Sequence, residues 1–201
     1  TYKIINDFNF GNFSGTGAGK TLSAILASRT INSKLTLIVC PNDVVEHWTK
    51  NILEIFPNSK IITGNEVFDA KYDEDSFQYL VLNYDKLNQP NSPNLVLQLI
   101  KQKIDYVVLD EIHFSKIRGK TVGERRKNLD GLMSYARKKN PNIRVLGMSA
   151  TPVINNLLEG RSLLELITGK SYEHVSTKPR VPNAVTLFEK FTILSVRHRP
   201  D

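Results

Sequence analysis

Short uninterrupted runs of apolar residues recur along the chain, and polar, glycine-rich or proline-rich segments separate them. Runs of this length are typical of strands that are buried on both faces of a parallel sheet. The pattern predicts strands at Leu35–Cys40, Lys60–Thr63, 79–83, 104–109 and 143–148. The run at 104–109, Ile-Asp-Tyr-Val-Val-Leu, is the strongest of these strand predictions.

Between the predicted strands, apolar residues recur every three or four positions, which indicates amphipathic helices. The first helix follows Asn42 or Asp43 as its N-cap and ends at Pro57, with Trp48 and Ile52 on its apolar side. Further helices are predicted at 91–103, 122–139 and 156–167. Strands therefore alternate with helices, which predicts an α/β fold with a mostly parallel sheet and helices on both faces.

The pattern becomes less regular after residue 170. Residues 170–183 contain Pro179 and Pro182 and are predicted to form a loop, whereas 184–194 fit either a last helix or an extended segment. We therefore expect one lobe at residues 1–170, followed at 171–201 by a poorly defined tail or linker.

The composition is that of an ordinary globular protein. The chain has 201 residues, 40% of them hydrophobic, which suffices for one large core. Cys40 is the only cysteine, so we expect no disulfide partner. No apolar run approaches ~20 residues and no signal pattern precedes the first strand, so we expect an intracellular protein, cytoplasmic or nuclear, without a membrane partner. The start at Thr1 rather than Met indicates a fragment.

Basic residues outnumber acidic ones, 27 to 20, which gives a net charge of +7. They cluster at 116–120, at 125–127 and at 137–139. A nucleic-acid partner explains this charge, and the solvated faces of ordinary helices explain it equally well.

Residues 14–21, Ser-Gly-Thr-Gly-Ala-Gly-Lys-Thr, have the spacing of a phosphate-binding loop. Glycines bring backbone amides close to an anion, and a helix beginning near Gly19 directs its positive end there. Lys20 supplies a charge for the β- and γ-phosphates, and the Thr21 hydroxyl is a ligand for Mg²⁺. The predicted nucleotide-binding residues are Gly15, Thr16, Gly17, Ala18, Gly19, Lys20 and Thr21. A flexible surface turn with a solvated lysine is the alternative, since Ser14 stands where the strict pattern has glycine.

Two carboxylates, Asp110 and Glu111, follow the predicted strand at 104–109. In open α/β sheets, ligands bind beyond the carboxyl ends of the strands. Asp110 is predicted to hold Mg²⁺ and Glu111 to polarise the attacking water, so Glu111, Lys20 and Asp110 are the predicted catalytic residues. An acidic loop exposed to solvent gives the same pattern, but together with Lys20 and Thr21 the two loops supply complementary charges for one magnesium nucleotide.

Small hydroxyl residues follow the strand predicted at 143–148, in the sequence Ser149-Ala150-Thr151. They suit a switch that senses the nucleotide near Glu111 and His113, and an ordinary turn before a proline is the alternative.

Taken in order, Gly-Thr-Gly-Ala-Gly-Lys-Thr, Asp-Glu-Ile-His and Ser-Ala-Thr resemble the motifs of the first RecA-like lobe of a superfamily 2 helicase or translocase. Finer detail resembles the Swi/Snf-type DNA translocases. Residues 37–41 with Trp48 downstream are similar to their motif Ia region, 82–87 to their strand that ends in a tyrosine, and 150–156 to their Thr-Pro-x-x-Asn segment. A viral or bacterial relative with restriction or repair duties fits the motifs as well.

The resemblance implies a RecA-like P-loop NTPase that uses ATP and Mg²⁺ and couples ATP hydrolysis to movement along double-stranded DNA. It implies that His113, Ser149 and Thr151 couple the nucleotide state to nucleic-acid binding. It places Pro41, Asn42 and the region around Tyr84 where such lobes touch the nucleic-acid backbone. An RNA helicase lobe and a non-catalytic, nucleotide-gated interaction module are the alternatives.

The resemblance also implies a partner, the second RecA-like lobe of the same parent chain, for which residues 171–201 leave no room. That lobe supplies arginine fingers, and such a finger contributes ~10³–10⁵ in rate. The adenine-reading glutamine is absent upstream of the loop, because the first glutamine is Gln78. We therefore predict that the chain alone binds Mg–ATP weakly and hydrolyses it very slowly, with Arg197 and Arg199 as the candidates for a finger in cis.

Overall fold

A parallel sheet of seven strands forms the centre of the molecule. The strands are β1 (Asn9–Asn12), β2 (Leu35–Cys40), β3 (Lys60–Thr63), β4 (Gln78–Asn83), β5 (Tyr106–Leu109), β6 (Arg144–Met148) and β7 (Ser195–Val196). Their order across the sheet is β3-β4-β2-β5-β6-β1-β7. The structure is a computed structural model, and it describes residues 2–69, 73, 75–115, 117, 122–151 and 156–198.

Helices connect most of the strands, and α1 precedes the first of them. They are α1 (Tyr2–Asn6), α2 (Lys20–Thr30), α3 (Val45–Ile55), α4 (Ser92–Leu99), α5 (Glu124–Lys139), α6 (Leu157–Thr168) and α7 (Val181–Leu194). Short 3₁₀ turns lie after β2, β3, β4 and β5, at Asn42–Val44, Gly64–Asp69, Tyr84–Asn88 and Ile112–Ser115. The carboxyl edge of the sheet is therefore built from turns, while helices cover its faces.

Alternate residues of β2 point into two separate apolar clusters. Leu37 and Val39 pack in one cluster with residues of α4, α5, α6 and α7. Ile38 and Cys40 pack in the other with residues of α1, α2 and α3. Both faces of the strand are thus buried, which is why its sequence is apolar throughout rather than alternating. The predicted α/β fold with a parallel sheet and helices on both faces is confirmed.

The end of the described chain returns to the sheet next to β1. Residues 184–194, for which the sequence left a helix and an extended segment open, are helical and belong to α7. The helix begins at Val181, so the predicted loop at 170–183 is wrong over its last three residues, where Pro182 occupies the first turn of the helix, a position that does not need its N–H. The ring of Phe191 on α7 contacts Phe13 edge-on, with centroids 5.5 Å apart, and β7 pairs with β1 in register Gly11 to Ser195. The division into a lobe at 1–170 and a tail at 171–201 stays a prediction, and residues 199–201 lie outside the described part.

Among the residues described, no helix has both the length and the apolar character needed to cross a membrane.

Candidate functional site

Three adjacent strands carry the three predicted motifs at one edge of the sheet. The order β5-β6-β1 places the loop after β6, which holds Ser149, between the glycine-rich loop after β1 and the acidic pair after β5. The Ser149 backbone N–H donates to the carbonyl oxygen of Asn12 at 3.3 Å, which ties the end of β6 to the end of β1. Topology therefore brings the three predicted motifs to a common site.

The glycine-rich loop has the backbone that its sequence predicts. Gly17 and Gly19 have φ values of 78° and 71°, in the left-handed region that residues with a Cβ rarely adopt. Gly19 directly precedes the first residue of α2, so the loop ends at a helix N-terminus. Thr16, Gly17 and Gly19 are exposed, so this part of the loop is open to a ligand.

The ammonium group of Lys20 lies against the start of the same loop. Its Nζ donates to the carbonyl oxygens of Ser14 at 2.9 Å and Gly15 at 2.8 Å. These bonds hold the positive charge at the N-terminus of α2, where the helix dipole also favours an anion. Thr21, the next residue, is partly exposed.

The Asp110 carboxylate is anchored through both of its oxygens. Oδ2 accepts from the indole Nε1 of Trp48 at 2.9 Å, and Oδ1 accepts from the backbone N–H of Glu111 at 3.0 Å. Burial raises the pKa of Asp110, while the hydrogen bond from Trp48 and the charge of Lys20 oppose that rise. The glycine-rich loop after β1 and the acidic pair after β5 lie at the same edge of the sheet, separated by one strand, which agrees with an influence of the Lys20 charge on the pKa of Asp110.

Glu111 lies in a strained backbone conformation and is held by its neighbours. Its φ is 45°, unusual for a residue with a side chain. Its carboxylate accepts from the Ser149 hydroxyl at 2.9 Å and lies 3.1 Å from His113 Nδ1. His113 Nδ1 is also 3.1 Å from the Ser149 hydroxyl, which accepts from the Thr151 backbone N–H at 3.1 Å. The residues predicted to couple nucleotide and nucleic acid are thus brought together around Glu111.

Of the residues predicted to contact nucleic acid, Pro41 and Asn42 lie at the surface and Tyr84 lies in the interior. Pro41 is partly exposed and Asn42 exposed, and the Asn42 amide oxygen accepts from Asn83 Nδ2 at 2.8 Å. Tyr84 is only 2% exposed, and its ring stacks against Phe114 with centroids 5.9 Å apart. The Tyr84 ring therefore has no access to a ligand, and a contact from this region needs its neighbours or the main chain.

Several arginines of the predicted basic clusters have structural partners. Arg126 is buried and donates to Asp130 at 2.8 Å and to the carbonyl oxygens of Ser115 at 2.9 Å and Ser162 at 2.7 Å. Arg125 pairs with Asp85, and Arg137 donates to the last carbonyls of α6. Lys127, Lys138 and Lys139 are exposed on the surface, where Lys127 pairs with Glu124 and the Lys139 ammonium group donates to the Lys101 carbonyl oxygen.

Parts of the predicted motifs lie outside the described residues. These are Lys116, Arg118 and Lys120, the segment 152–155, and Arg199. Arg197, the other candidate for an arginine finger in cis, is exposed.

A strand that the sequence did not predict explains why serine occupies position 14. The Gly15 N–H donates to the carbonyl oxygen of His198 at 2.7 Å, and the His198 N–H donates to the Ser14 hydroxyl at 3.1 Å. Ser14 is buried, and its hydroxyl has a defined partner where glycine would have none. The segment that follows β7 thus extends its pairing with β1 into the start of the glycine-rich loop.

The donors at this site fit a magnesium nucleotide better than a metal held by protein alone. Mg²⁺ is usually bound by one or two carboxylates and by substrate phosphates. Asp110 offers one partly exposed carboxylate and Thr21 one hydroxyl. Within the described ranges, no group of three or more His, Cys, Asp or Glu side chains could hold a metal ion.

Comparisons with known proteins agree with this architecture. Residues 12–154 match the family described as "Type III restriction enzyme, res subunit". The Sulfolobus solfataricus SWI2/SNF2 ATPase core in complex with dsDNA has a TM-score of 0.71 at 16% identity, covering 96% of this chain and 41% of that one. The Sulfolobus solfataricus SWI2/SNF2 ATPase core domain has a TM-score of 0.67 at 16% identity, covering 98% and 40%. None of the curated proteins matches the chain.

The two solved structures confirm the predicted RecA-like fold and its likeness to the SWI2/SNF2 ATPase core. The chain spans about two fifths of the length of each of them.

Proposed function

The chain belongs to the family of the type III restriction enzyme res subunit, and from this premise we propose that it is the ATP-binding lobe of an ATP-dependent nucleic-acid translocase or helicase. One observation carries the proposal. The order β5-β6-β1 brings the Lys20 loop and the acidic pair to the same edge of the sheet, where Ser149, after the strand between them, and His113 hold the Glu111 carboxylate. In this proposal, Lys20 binds phosphate, Asp110 binds the metal and Glu111 activates water, all within one site.

The glycine-rich loop is proposed to bind the phosphates of ATP. The Gly15 amide donates to His198 and the Ala18 amide donates to the Gly15 carbonyl oxygen, so the amides of Thr16, Gly17, Gly19, Lys20 and Thr21 are the ones proposed to bind the anion. Lys20 is close enough to exchange its bonds with Ser14 and Gly15 for bonds to the β- and γ-phosphates. Thr21 and Asp110 would hold Mg²⁺, which, when bound, neutralises charge on the phosphates.

Glu111 is proposed to orient and deprotonate the attacking water. The Ser149 hydroxyl and His113 both contact Oε2 of Glu111. The other carboxylate oxygen, Oε1, is the one proposed to accept the proton of the water. Because Ser149 also accepts from the Thr151 backbone, a shift of the 149–151 loop changes the position of Glu111. This linkage is the proposed route by which nucleic-acid binding and hydrolysis influence each other.

Double-stranded DNA is the nucleic acid along which the protein is proposed to move. The relative whose structure is described as a complex with dsDNA has the same fold, and the net charge of +7 favours a polyanion. Pro41, Asn42 and the exposed lysines of α5 are the proposed contact groups on this lobe.

We further propose that the 201-residue chain by itself turns over ATP slowly. A RecA-like lobe of this kind supplies one side of the nucleotide site, and a second lobe of the same parent protein supplies an arginine finger, which contributes ~10³–10⁵ in rate. Arg197, exposed near β7, is the described residue to test as a replacement.

Two measurements test the proposed function. Calorimetry with ATP and Mg²⁺ is expected to show binding that Lys20→Ala weakens. Anisotropy of a labelled DNA duplex across a salt series is expected to show affinity that falls with a slope of about −0.9 per phosphate contact in logarithmic units. Affinity that does not change with salt argues against a nucleic-acid track, and a labelled RNA duplex that binds more tightly identifies an RNA helicase lobe instead.

A further inference from the structure

Trp48 is buried beneath the acidic pair and makes a direct hydrogen bond to it. The indole is 1% exposed and belongs to the apolar cluster that also contains Ile52 on the same helix. Its Nε1 donates to Asp110 Oδ2 at 2.9 Å, although 62 residues separate the two in sequence. Helix α3 thereby contacts the carboxylate that is proposed to hold Mg²⁺.

The chemistry of the indole suits this position. An indole N–H is a donor and never an acceptor, so it contacts only a group that accepts. It occupies one lone pair of the carboxylate and leaves others for a metal-bound water. The opposite oxygen, Oδ1, accepts from the Glu111 backbone, so the two bonds together fix the plane of the carboxylate. With the donor removed, only the Oδ1 contact orients the group.

Packing makes the donor rigid. A large ring that is almost completely buried has few rotamers open to it, because protein interiors are close-packed. The carboxylate is therefore oriented by a group that cannot turn away to bond with water. Exposed donors such as lysine lack this property, because they exchange partners with solvent.

We propose that Trp48 is a positioning residue for the magnesium site: its indole N–H holds the Asp110 carboxylate in the orientation in which it binds the metal of the bound nucleotide. The inference rests on the proposed function, and it adds a residue of α3 to the groups that determine metal affinity. Partners that orient a metal ligand in this way typically change metal affinity or activity by ~10–100-fold when they are removed.

The first test compares Trp48→Phe with a matched control, Ile52→Val, on the same helix and in the same apolar cluster. Calorimetry measures the affinity for ADP in Mg²⁺ and in EDTA for both variants and for the wild-type chain. We expect equal affinities in EDTA, because the glycine-rich loop is unchanged. The gain in affinity on adding Mg²⁺ is expected to be about 10-fold smaller in Trp48→Phe and unchanged in Ile52→Val.

The second test needs no change to Trp48 and so does not depend on how well the phenylalanine variant folds. Trp48 is the only tryptophan of the chain, so all tryptophan emission comes from the indole that bonds to Asp110. We expect the emission of the wild-type chain to change when ADP and Mg²⁺ are added. The change is expected to be absent with ADP in EDTA, and absent with ADP and Mg²⁺ in Asp110→Asn.

The outcomes separate the two proposals. If the wild-type chain binds ADP in neither buffer, the proposed function is wrong and this inference is wrong with it. If the wild-type chain gains affinity from Mg²⁺ and Trp48→Phe gains as much, the proposed function stands and the role of Trp48 is refuted. If the tryptophan emission of the wild-type chain stays the same when ADP and Mg²⁺ saturate the site, that role is refuted as well.

Discussion

The Ser149 hydroxyl donates a 2.9 Å hydrogen bond to the carboxylate of Glu111, across 38 residues of sequence. The bond joins the loop after β6 to the loop after β5, and Ser149 itself is completely buried. His113 Nδ1 lies 3.1 Å from the carboxylate and 3.1 Å from the hydroxyl. Glu111, the proposed water-activating group, is therefore held in part by the loop after β6, the strand that lies between β5 and β1 in the sheet.

Loss of the Ser149 hydroxyl is expected to slow hydrolysis without weakening nucleotide binding. Hydrogen bonds to charged groups contribute about 1.5–3 kcal/mol, so Ser149→Ala is expected to lower ATP turnover by about 10–100-fold. Ser134→Ala, on the exposed side of α5, is the control and is expected to retain full turnover. Turnover and calorimetric affinity are measured on the same preparations, and a large loss of affinity in Ser149→Ala contradicts the assigned role.

Replacement of Glu111 by glutamine is expected to abolish hydrolysis and leave ATP binding intact. The amide keeps the size of the side chain and can still accept from Ser149, but it cannot take a proton from water. General-base catalysis contributes ~10²–10⁴ in rate, which is the loss expected in a phosphate-release assay. Activity that survives Glu111→Gln identifies another base. ATP binding without any measurable hydrolysis in the wild-type parent protein favours a nucleotide-gated interaction module.

Lys20→Ala is expected to reduce affinity for ATP by about 10–100-fold, the value of one charge-assisted hydrogen bond. The variant also frees the carbonyl oxygens of Ser14 and Gly15, so the loop loses its internal contact. Lys50→Ala is the matched control, because its side chain is 75% exposed on α3 and pairs with Glu54 across one helical turn. Equal affinities of the two variants in calorimetry rule out the phosphate site at this loop.

The central strands and their helices follow from the sequence because burial on both faces leaves a strong apolar signal. Leu35–Cys40 is predicted with its observed bounds, and the strand at 104–109 loses only its first two residues. Strand β1, Asn-Phe-Gly-Asn, has polar residues at both ends and leaves no such signal. Strand β7 has two residues and becomes a strand only through pairing with β1.

Side-chain partners that are distant in sequence could not be predicted. The helical pattern places Trp48 on the apolar side of α3, which the structure confirms, but nothing in the pattern shows that its N–H meets Asp110. The basic run at 125–127 predicts surface charge, whereas Arg126 is buried and donates to the carbonyl oxygens of Ser115 and Ser162. Such partners depend on which loops the sheet order brings together.

Two adjacent basic residues are expected to differ sharply in their effect on stability. Arg126→Ala removes the donor to the half-exposed Asp130 carboxylate and to the buried carbonyl oxygens of Ser115 and Ser162, and a buried acceptor left without its partner lowers the free energy of unfolding by about 1–3 kcal/mol. Lys127→Ala removes an exposed charge, and its effect is expected to stay within about 0.5 kcal/mol. Urea unfolding measures both, and equal midpoints contradict the structural role of Arg126.

A second pair of variants tests the packing beneath the Glu111 loop. A Cβ at Gly147 would lie 2.7 Å from Ile167 Cδ1 and 2.8 Å from Ile112 Cδ1, so Gly147→Ala forces both side chains to move. Overpacking of this kind lowers the free energy of unfolding by about 1–3 kcal/mol. Gly131 in α5 has open space around it, so Gly131→Ala is expected to raise that free energy by about 0.4–1 kcal/mol.

Urea unfolding at equal m-values compares the two glycine variants with the wild-type chain. Because Ile112 directly precedes His113, displacement of its side chain by Gly147→Ala is also expected to lower ATP turnover, whereas Gly131→Ala leaves turnover unchanged. A Gly147→Ala protein with wild-type stability shows that the two isoleucines move aside freely. A stable variant that still loses turnover shows that the packing of Ile112 under the loop, rather than global stability, determines where His113 and Glu111 lie.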